Sequence, residues 1–378
     1  MTGQAVRRPW IDNLKVLLIT LIIAIHGVLS YAGTLEVWTY SEFREVTLSP
    51  VTEGVLFVLV APFGFFMIAL LFLVAGLLTP GSVERKGVRG FAVDRLWRLG
   101  LPFVVFVFLL EPTLTYLLEH PLGDAPGSYW QEYLGAEKVL DTGPLWFVGV
   151  LLIFSLGYAA WVAVRPQHDR ATARSPVSFR HLLVLMPAVA VASFLVRLVY
   201  PYGSEAGRSD LQFWEWPACL AVFVLGIVVE QEGWLEEVPE HVQRPARAVT
   251  VVAMVAMAGL LVVAGFADRV EAGMGGWNWY AVAFAAIEAP LTICGPVWLL
   301  GVAQARLDHH YRGDALIARA SYPAFIVQGF VLIGLAGALR HLEVAAEVKA
   351  LVVAAGGVAG AFALAWALLR VAVLRRVL

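Results

Sequence analysis

His26 places an imidazole in an otherwise apolar run, KVLLITLIIAIHGVLSYAG over residues 15–33, eleven residues after Lys15. Imidazole titrates near neutrality, which suits it to act as a general base. Three more polar groups interrupt apolar runs: Glu111 in FLLEPTL, Glu288 in FAAIEAPLTICGP and Gln328 in SYPAFIVQGF. Groups of this kind are costly to place in hydrocarbon, so each must face protein or a wet cavity, in a functional site or in a polar contact between helices. Taking a proton from a hydroxyl needs a base within hydrogen-bond reach of that proton. A carboxylate beside the base orients it and stabilises the imidazolium. Glu288 is the carboxylate best placed by depth along its run, so His26 and Glu288 form the candidate catalytic pair. Ser30 follows His26 by one helical turn, but interfacial serines are common. No serine or cysteine is clearly poised as a covalent nucleophile.

The elements that must position these groups are membrane spans. The 378-residue chain is 60% hydrophobic and 15% charged, with a mean hydropathy of +0.76. Soluble domains are about half apolar and about a quarter charged. Repeated apolar runs of about 20 residues identify a polytopic membrane protein. The net charge of -2 gives no sign of nucleic acid, and no nucleic-acid partner is expected; the two cysteines, Cys219 and Cys294, form no disulfide framework or metal pattern. The expected fold is an all-α transmembrane helix bundle, one membrane-embedded domain over residues 1–378. Its spans, about ten by the length rule, fall near 14–33, 55–79, 99–118, 145–164, 182–200, 216–230, 247–267, 278–303, 320–339 and 349–371. The first span reads as retained, since no small-residue cleavage pattern follows it. The second contains Pro62 and Gly64, which predicts a bend or broken helix there.

Lys and Arg set the orientation. With the N-terminus in the cytoplasm, the inner segments hold Arg7, Arg8, the basic run over 85–98, the arginines within 165–180, Arg244, Arg247, those within 306–319, and those of 370–376. The outer segments and their edges hold Arg44, Lys138, Arg197, Arg208, Arg269, Arg340 and Lys349. This bias places both termini in the cytoplasm. Aromatics such as Trp38, Trp130, Trp146, Trp214, Trp277 and Trp279 cluster near the outer ends of spans, as an interfacial belt does. The longest polar connection, about 119–143, is then extracytoplasmic.

Several segments, in order, resemble the acyltransferase-3 family of integral membrane acyltransferases. WIDNLKVLLITLIIAIH is similar to the family's opening motif, a basic residue, ten residues and a histidine, here Lys15 and His26. FFMIALLFLVAGLLTPGSVERKGVRGFAVDRLWRLGLPF resembles the second span and the basic loop ending in Arg-x-x-Arg, here Arg95 and Arg98. GPLWFVGVLLIFSL and SYPAFIVQ resemble two further family segments. The chain departs from the pattern in having Ala75-Gly76 for a serine-glycine pair, Gln328 where histidine is common, and Lys15 where arginine is commoner.

The resemblance implies transfer of an acyl group from cytoplasmic acyl-CoA to a hydroxyl of an extracytoplasmic carbohydrate or related acceptor. It implies acyl-CoA as co-substrate, with no cofactor or metal, and a multi-pass location in the cell membrane. Arg95 and Arg98, selected by the resemblance, would hold the donor's phosphates, because guanidinium pairs bidentately with phosphate. Lys15 would assist them or snorkel to the interface, and topology-setting charge is the alternative for the whole basic loop. Lys15 and His26 are separated by about 16 Å of helix rise, a distance that a pantetheine arm spans. Trp146 would line the acceptor entrance by stacking on a sugar ring, or anchor its helix at the interface. A secondary transporter or channel with a polar midplane site is the competing class, although no matching pair of broken segments is visible in two halves.

Overall fold

A computed structural model describes residues 8–33, 40–41, 43–122, 128–129, 141–165, 176–204, 210–372 and 374–377. Most of the expected connection at 119–143 lies outside them, as do Arg7, Trp38, Trp130, Lys138, Arg170, Arg174 and Arg208. The described residues form helices and connections with no strand. Among the described residues, nine helices are long and apolar enough to cross a membrane: α1 (Pro9–Leu29), α2 (Pro50–Leu117), α3 (Gly143–Val164), α4 (Phe179–Arg197), α5 (Phe213–Glu230), α6 (Glu240–Phe266), α7 (Trp279–Arg306), α8 (Asp314–Leu339) and α9 (Ala346–Leu368).

The difference between nine helices and about ten spans lies in α2. At 68 residues it would be about 100 Å long if straight, roughly three hydrocarbon thicknesses. It is not straight, because Gly87 leaves the helical region at φ 69°, ψ 163°, a left-handed conformation that suits glycine. Around this break Lys86 Nζ lies 2.7 Å from Asp94 Oδ2, and Val83 and Phe91 share one apolar cluster with Ala159 and Val162. The helix is therefore kinked at Gly87, between two helical arms. The expected spans at 55–79 and 99–118 are the two arms of α2. Of the bend or broken helix expected at Pro62 and Gly64, the break is corrected: the backbone stays helical there, with Pro62 inside the helix, and Gly87 is the non-helical residue.

The chain divides into two compact units. The first comprises Met1–Gly54, Pro112–Gly135 and Val302–Leu378, and the second Val55–Glu111 and Ala136–Gly301. In the first unit α1, α8 and α9 pack pairwise on one another. A Cβ on Gly27 would lie 2.7 Å from Ala354 Cα, so α1 and α9 meet backbone to backbone. In the second unit α2 and α5 cross as closely, with a Cβ on Gly76 falling 2.2 Å from the Phe223 carbonyl oxygen. Small residues permit such approaches where burying apolar area supplies no drive between helices.

Candidate active site

The candidate residues divide between the units. Lys15 and His26 belong to the first, and Arg95, Arg98, Trp146 and Glu288 to the second.

In the first unit, Pro9 stands in the first turn of α1, where its missing N–H is no loss. The helix therefore runs from Pro9 to Leu29, about four residues earlier than the apolar run suggests, and His26 falls in its last turn. The half-buried imidazole has its Nδ1 2.9 Å from Gln328 Oε1 of α8. Gln328 is fully buried, and its Nε2 donates to the Phe325 carbonyl at 3.0 Å. Tyr40, 2% exposed, stands edge-on to the imidazole with ring centroids 6.0 Å apart. Its ring covers Gly329, where a Cβ would lie 2.9 Å from Tyr40 Cε1. Tyr40 has a φ of 85°, an outlier for an aromatic residue of the kind that clusters at functional sites. Ser30 donates to the Gly27 carbonyl of its own helix at 2.9 Å, so its hydroxyl hydrogen is engaged by backbone.

The described residues between α1 and α2 are held by several polar contacts. Gly33 N donates to Glu53 at 3.0 Å, Ser49 N donates to Glu347 of α9 at 3.1 Å, and Arg44 donates to the Ala32 carbonyl. Lys349, 1% exposed, pairs with Glu45. Tyr31, fully buried, has its phenol pushed up to about 12, first by burial and then by the charge of Glu45.

At the opposite end of α1 an open cavity of about 420 Å³ lies between α1 and α8, lined by Asp12, Lys15, Arg319, Ser321 and Tyr322 among others. Lys15 pairs with Asp12 at 3.2 Å and remains 43% exposed, and Arg319 is exposed. The buried Tyr322 hydroxyl finds no hydrogen-bond partner among the described residues. Asn13 clamps this end by donating to the carbonyls of Leu307 at 2.7 Å and His309 at 2.8 Å. The α1–α8 seam thus holds a cationic mouth at one end and His26 with Gln328 towards the other.

In the second unit, Glu288 is 1% and Arg197 3% exposed. Arg197 Nη1 donates to Glu288 Oε2 at 2.5 Å and Nη2 to Oε1 at 2.7 Å. Arg197 is also stacked near Tyr202 and Phe284, at 5.2 and 5.5 Å from the ring centroids. Burial pushes the Tyr202 phenol well up, and Glu215 and Glu288 add to it. Arg95 and Arg98 flank the start of a π-helical turn, Leu96–Gly100. The Arg95 guanidinium lies over the Phe91 ring at 4.9 Å, and Arg98 Nε lies 3.1 Å from Asp94. Asp94, which also takes Lys86, shares out the positive charge of this segment. Trp146 is buried at 5%, as is Trp214 at 4%, whereas Trp277 at 82% and Trp279 at 59% are exposed as interfacial rings are. Glu111 is buried at 6%, with Oε2 3.5 Å from where a Cβ on Gly143 would lie.

Sequence reasoning singled out Gln328 but not its contact with His26, and it did not find Arg197 as the partner of Glu288, nor Tyr40, Arg319 and Tyr322 around the α1–α8 seam. Tyr322 and Gln328 both stand in the SYPAFIVQ segment. For Tyr40, short polar sequence carries no periodicity that would bring it to His26.

The helices and their buried polar groups define a multi-pass membrane protein with its polar chemistry inside the apolar layer. A family model described as an acyltransferase domain, acyltransferase-3, matches residues 8–370, and the chain belongs to that family. The protein is therefore a membrane acyltransferase. No curated protein and no solved structure matches the chain.

Proposed function

We propose that the protein moves an acyl group from cytoplasmic acyl-CoA to a hydroxyl of an extracytoplasmic carbohydrate, with His26 as the general base. The observation that carries this reading is the α1–α8 seam, where Lys15, Arg319 and Tyr322 surround a cavity and His26 meets Gln328 along the same two helices. Lys15 and Arg319 suit the donor's phosphates, since cations on a partly exposed rim attract them without a large desolvation cost. From Lys15 the eleven residues to His26 rise about 16 Å, so an extended thioester arm reaches the imidazole while its nucleotide stays at the mouth. His26 takes the acceptor's hydroxyl proton as its oxygen attacks the thioester carbonyl. The tetrahedral intermediate collapses with loss of CoA thiolate, which receives the proton.

Arg95 and Arg98 are the other candidate pair for the donor's phosphates, with Asp94 setting how much of their charge is free. Glu288 enters this reading as the counter-charge of Arg197 rather than as the partner of His26. The Lys and Arg bias supports cytoplasmic termini, and with them a donor drawn from the cytoplasm in the cell membrane. The test is mass spectrometry of surface glycans and small glycosides from cells with and without the protein, followed by transfer of labelled acetyl or succinyl groups from CoA in proteoliposomes. An acylated hydroxyl that appears only with the protein supports the reading. Transfer from a donor lacking CoA, with none from acyl-CoA, overturns it.

A further inference from the structure

We propose that Gln328 is a positioning residue that holds His26 in the tautomer with its hydrogen on Nδ1, so that the Nε2 lone pair is the one offered to the acceptor. The proposal rests on the reading of His26 as the base. It follows from donors and acceptors alone. The Phe325 carbonyl can only accept, so the Gln328 amide group facing it at 3.0 Å must be the NH2. Oε1 therefore faces His26, and it too can only accept. The ring nitrogen 2.9 Å away, Nδ1, must carry the hydrogen. In the neutral ring the lone pair is then on Nε2. Flipping the amide would set two carbonyl oxygens against each other, so the backbone of α8 fixes the amide and the amide fixes the imidazole.

Packing restricts the ring as well as its protons. Gln328 has no exposed surface and Tyr40 almost none, and Tyr40 stands edge-on to the imidazole. An amide provides the acceptor without adding a charge to the apolar layer, where a second ionised group would be costly. In triads a carboxylate selects the tautomer and also stabilises the imidazolium. Gln328 supplies the first of these and only a dipole for the second.

The test uses the full chain in lipid nanodiscs with 15N-labelled histidine, His26 signals being identified by their loss in His26→Ala. A ring nitrogen bearing hydrogen and one bearing a lone pair resonate far apart, so the tautomer is read without turnover. The wild type should show Nδ1–H. Gln328→Met, nearly isosteric but without the acceptor, should show loss of the Nδ1–H preference, and Gln328→Glu should keep a hydrogen on Nδ1. In turnover Gln328→Met should lower kcat about 10- to 100-fold with little change in either KM, part of the full general-base effect, and Gln328→Glu should recover much of it. An Nε2–H tautomer in the wild type overturns the proposal, even if Gln328→Met does not fold. An unchanged tautomer, or a kcat within about twofold, in a folded Gln328→Met also overturns it, given the size of general-base effects. Near-normal turnover in His26→Ala would instead remove the base reading and leave the tautomer result standing, so the two failures are distinct.

Discussion

Arg197 and Glu288 meet in a two-pronged ion pair buried on both sides, with contacts of 2.5 and 2.7 Å between α4 and α7. The guanidinium fork matches the carboxylate edge, the geometry in which charge-assisted bonds are strongest. Removing either partner leaves an uncompensated buried charge at a cost of about 3–5 kcal/mol, whereas replacing both by apolar groups is often close to neutral. Glu288→Ala and Arg197→Ala should each lower the thermal midpoint in detergent markedly, and the paired Arg197→Met/Glu288→Met should recover most of it. The paired variant should also keep acyl transfer. If it is as stable as the wild type yet inactive, Glu288 or Arg197 takes part in the chemistry after all.

His26→Ala should keep expression and folding while lowering the thermal midpoint modestly, because it leaves the buried Gln328 Oε1 without its His26 partner at a cost of about 1–3 kcal/mol. It should lower kcat by about 10²- to 10⁴-fold, the range for a positioned base. Single-turnover transfer from labelled acyl-CoA is the measurement, with the acceptor saturating. Turnover within a few-fold of wild type would show that His26 is not the base.

The span pattern is legible in the sequence because length and polarity alone decide which segments hydrocarbon accepts. His26 and Glu288 are legible as buried polar groups for the same reason. Their partners are not, because a partner is a matter of rotation about a helix axis and of which helix lies alongside. Arg197 reads as an outer-edge arginine, since it ends its apolar run, yet it turns inward to Glu288. Gln328 is uncharged, so the expense of its burial signals less than that of a carboxylate. Gly87 sits in a basic segment that looks like a loop, and only its left-handed φ shows that it joins two helical arms. Arg319 lies four residues after Ala315 on α8, and only the packing of α8 on α1 brings it to the cavity of Lys15.

If the donor is acyl-CoA as proposed, two sets of cations are the candidates for its phosphates, and a comparison of Michaelis constants separates them. Lys15→Ala/Arg319→Ala should raise the donor KM about tenfold or more while leaving the acceptor KM unchanged, because the rim binds ground state and transition state alike. Arg95→Ala/Arg98→Ala should do the same if the second unit contributes. Asp94→Asn should then lower the donor KM, by releasing Arg98 and Lys86 from the carboxylate they share. The effects should shrink in high salt, since these groups are partly exposed. Unchanged donor saturation in either double variant assigns that pair to topology alone.

Gly27 adjoins His26 and is where α1 touches the backbone of α9. A Cβ there would come within 2.7 Å of Ala354 Cα and 2.9 Å of its nitrogen, neither of which can rotate aside. Gly27→Ala must therefore push the helices apart and carry the imidazole with them. A displacement of about 1 Å at a reacting group costs about 10²-fold in rate, so kcat should fall strongly while both KM values change less. Gly64 is the control: it lies inside α2 with nothing within 4 Å of the added carbon. Gly64→Ala should be tolerated, and it gains up to about 1 kcal/mol of helix propensity where the helix is exposed. Thermal midpoints and single-turnover rates on the two variants side by side are the measurement. Equal behaviour of Gly27→Ala and Gly64→Ala would mean that the α1–α9 contact does not set the position of His26.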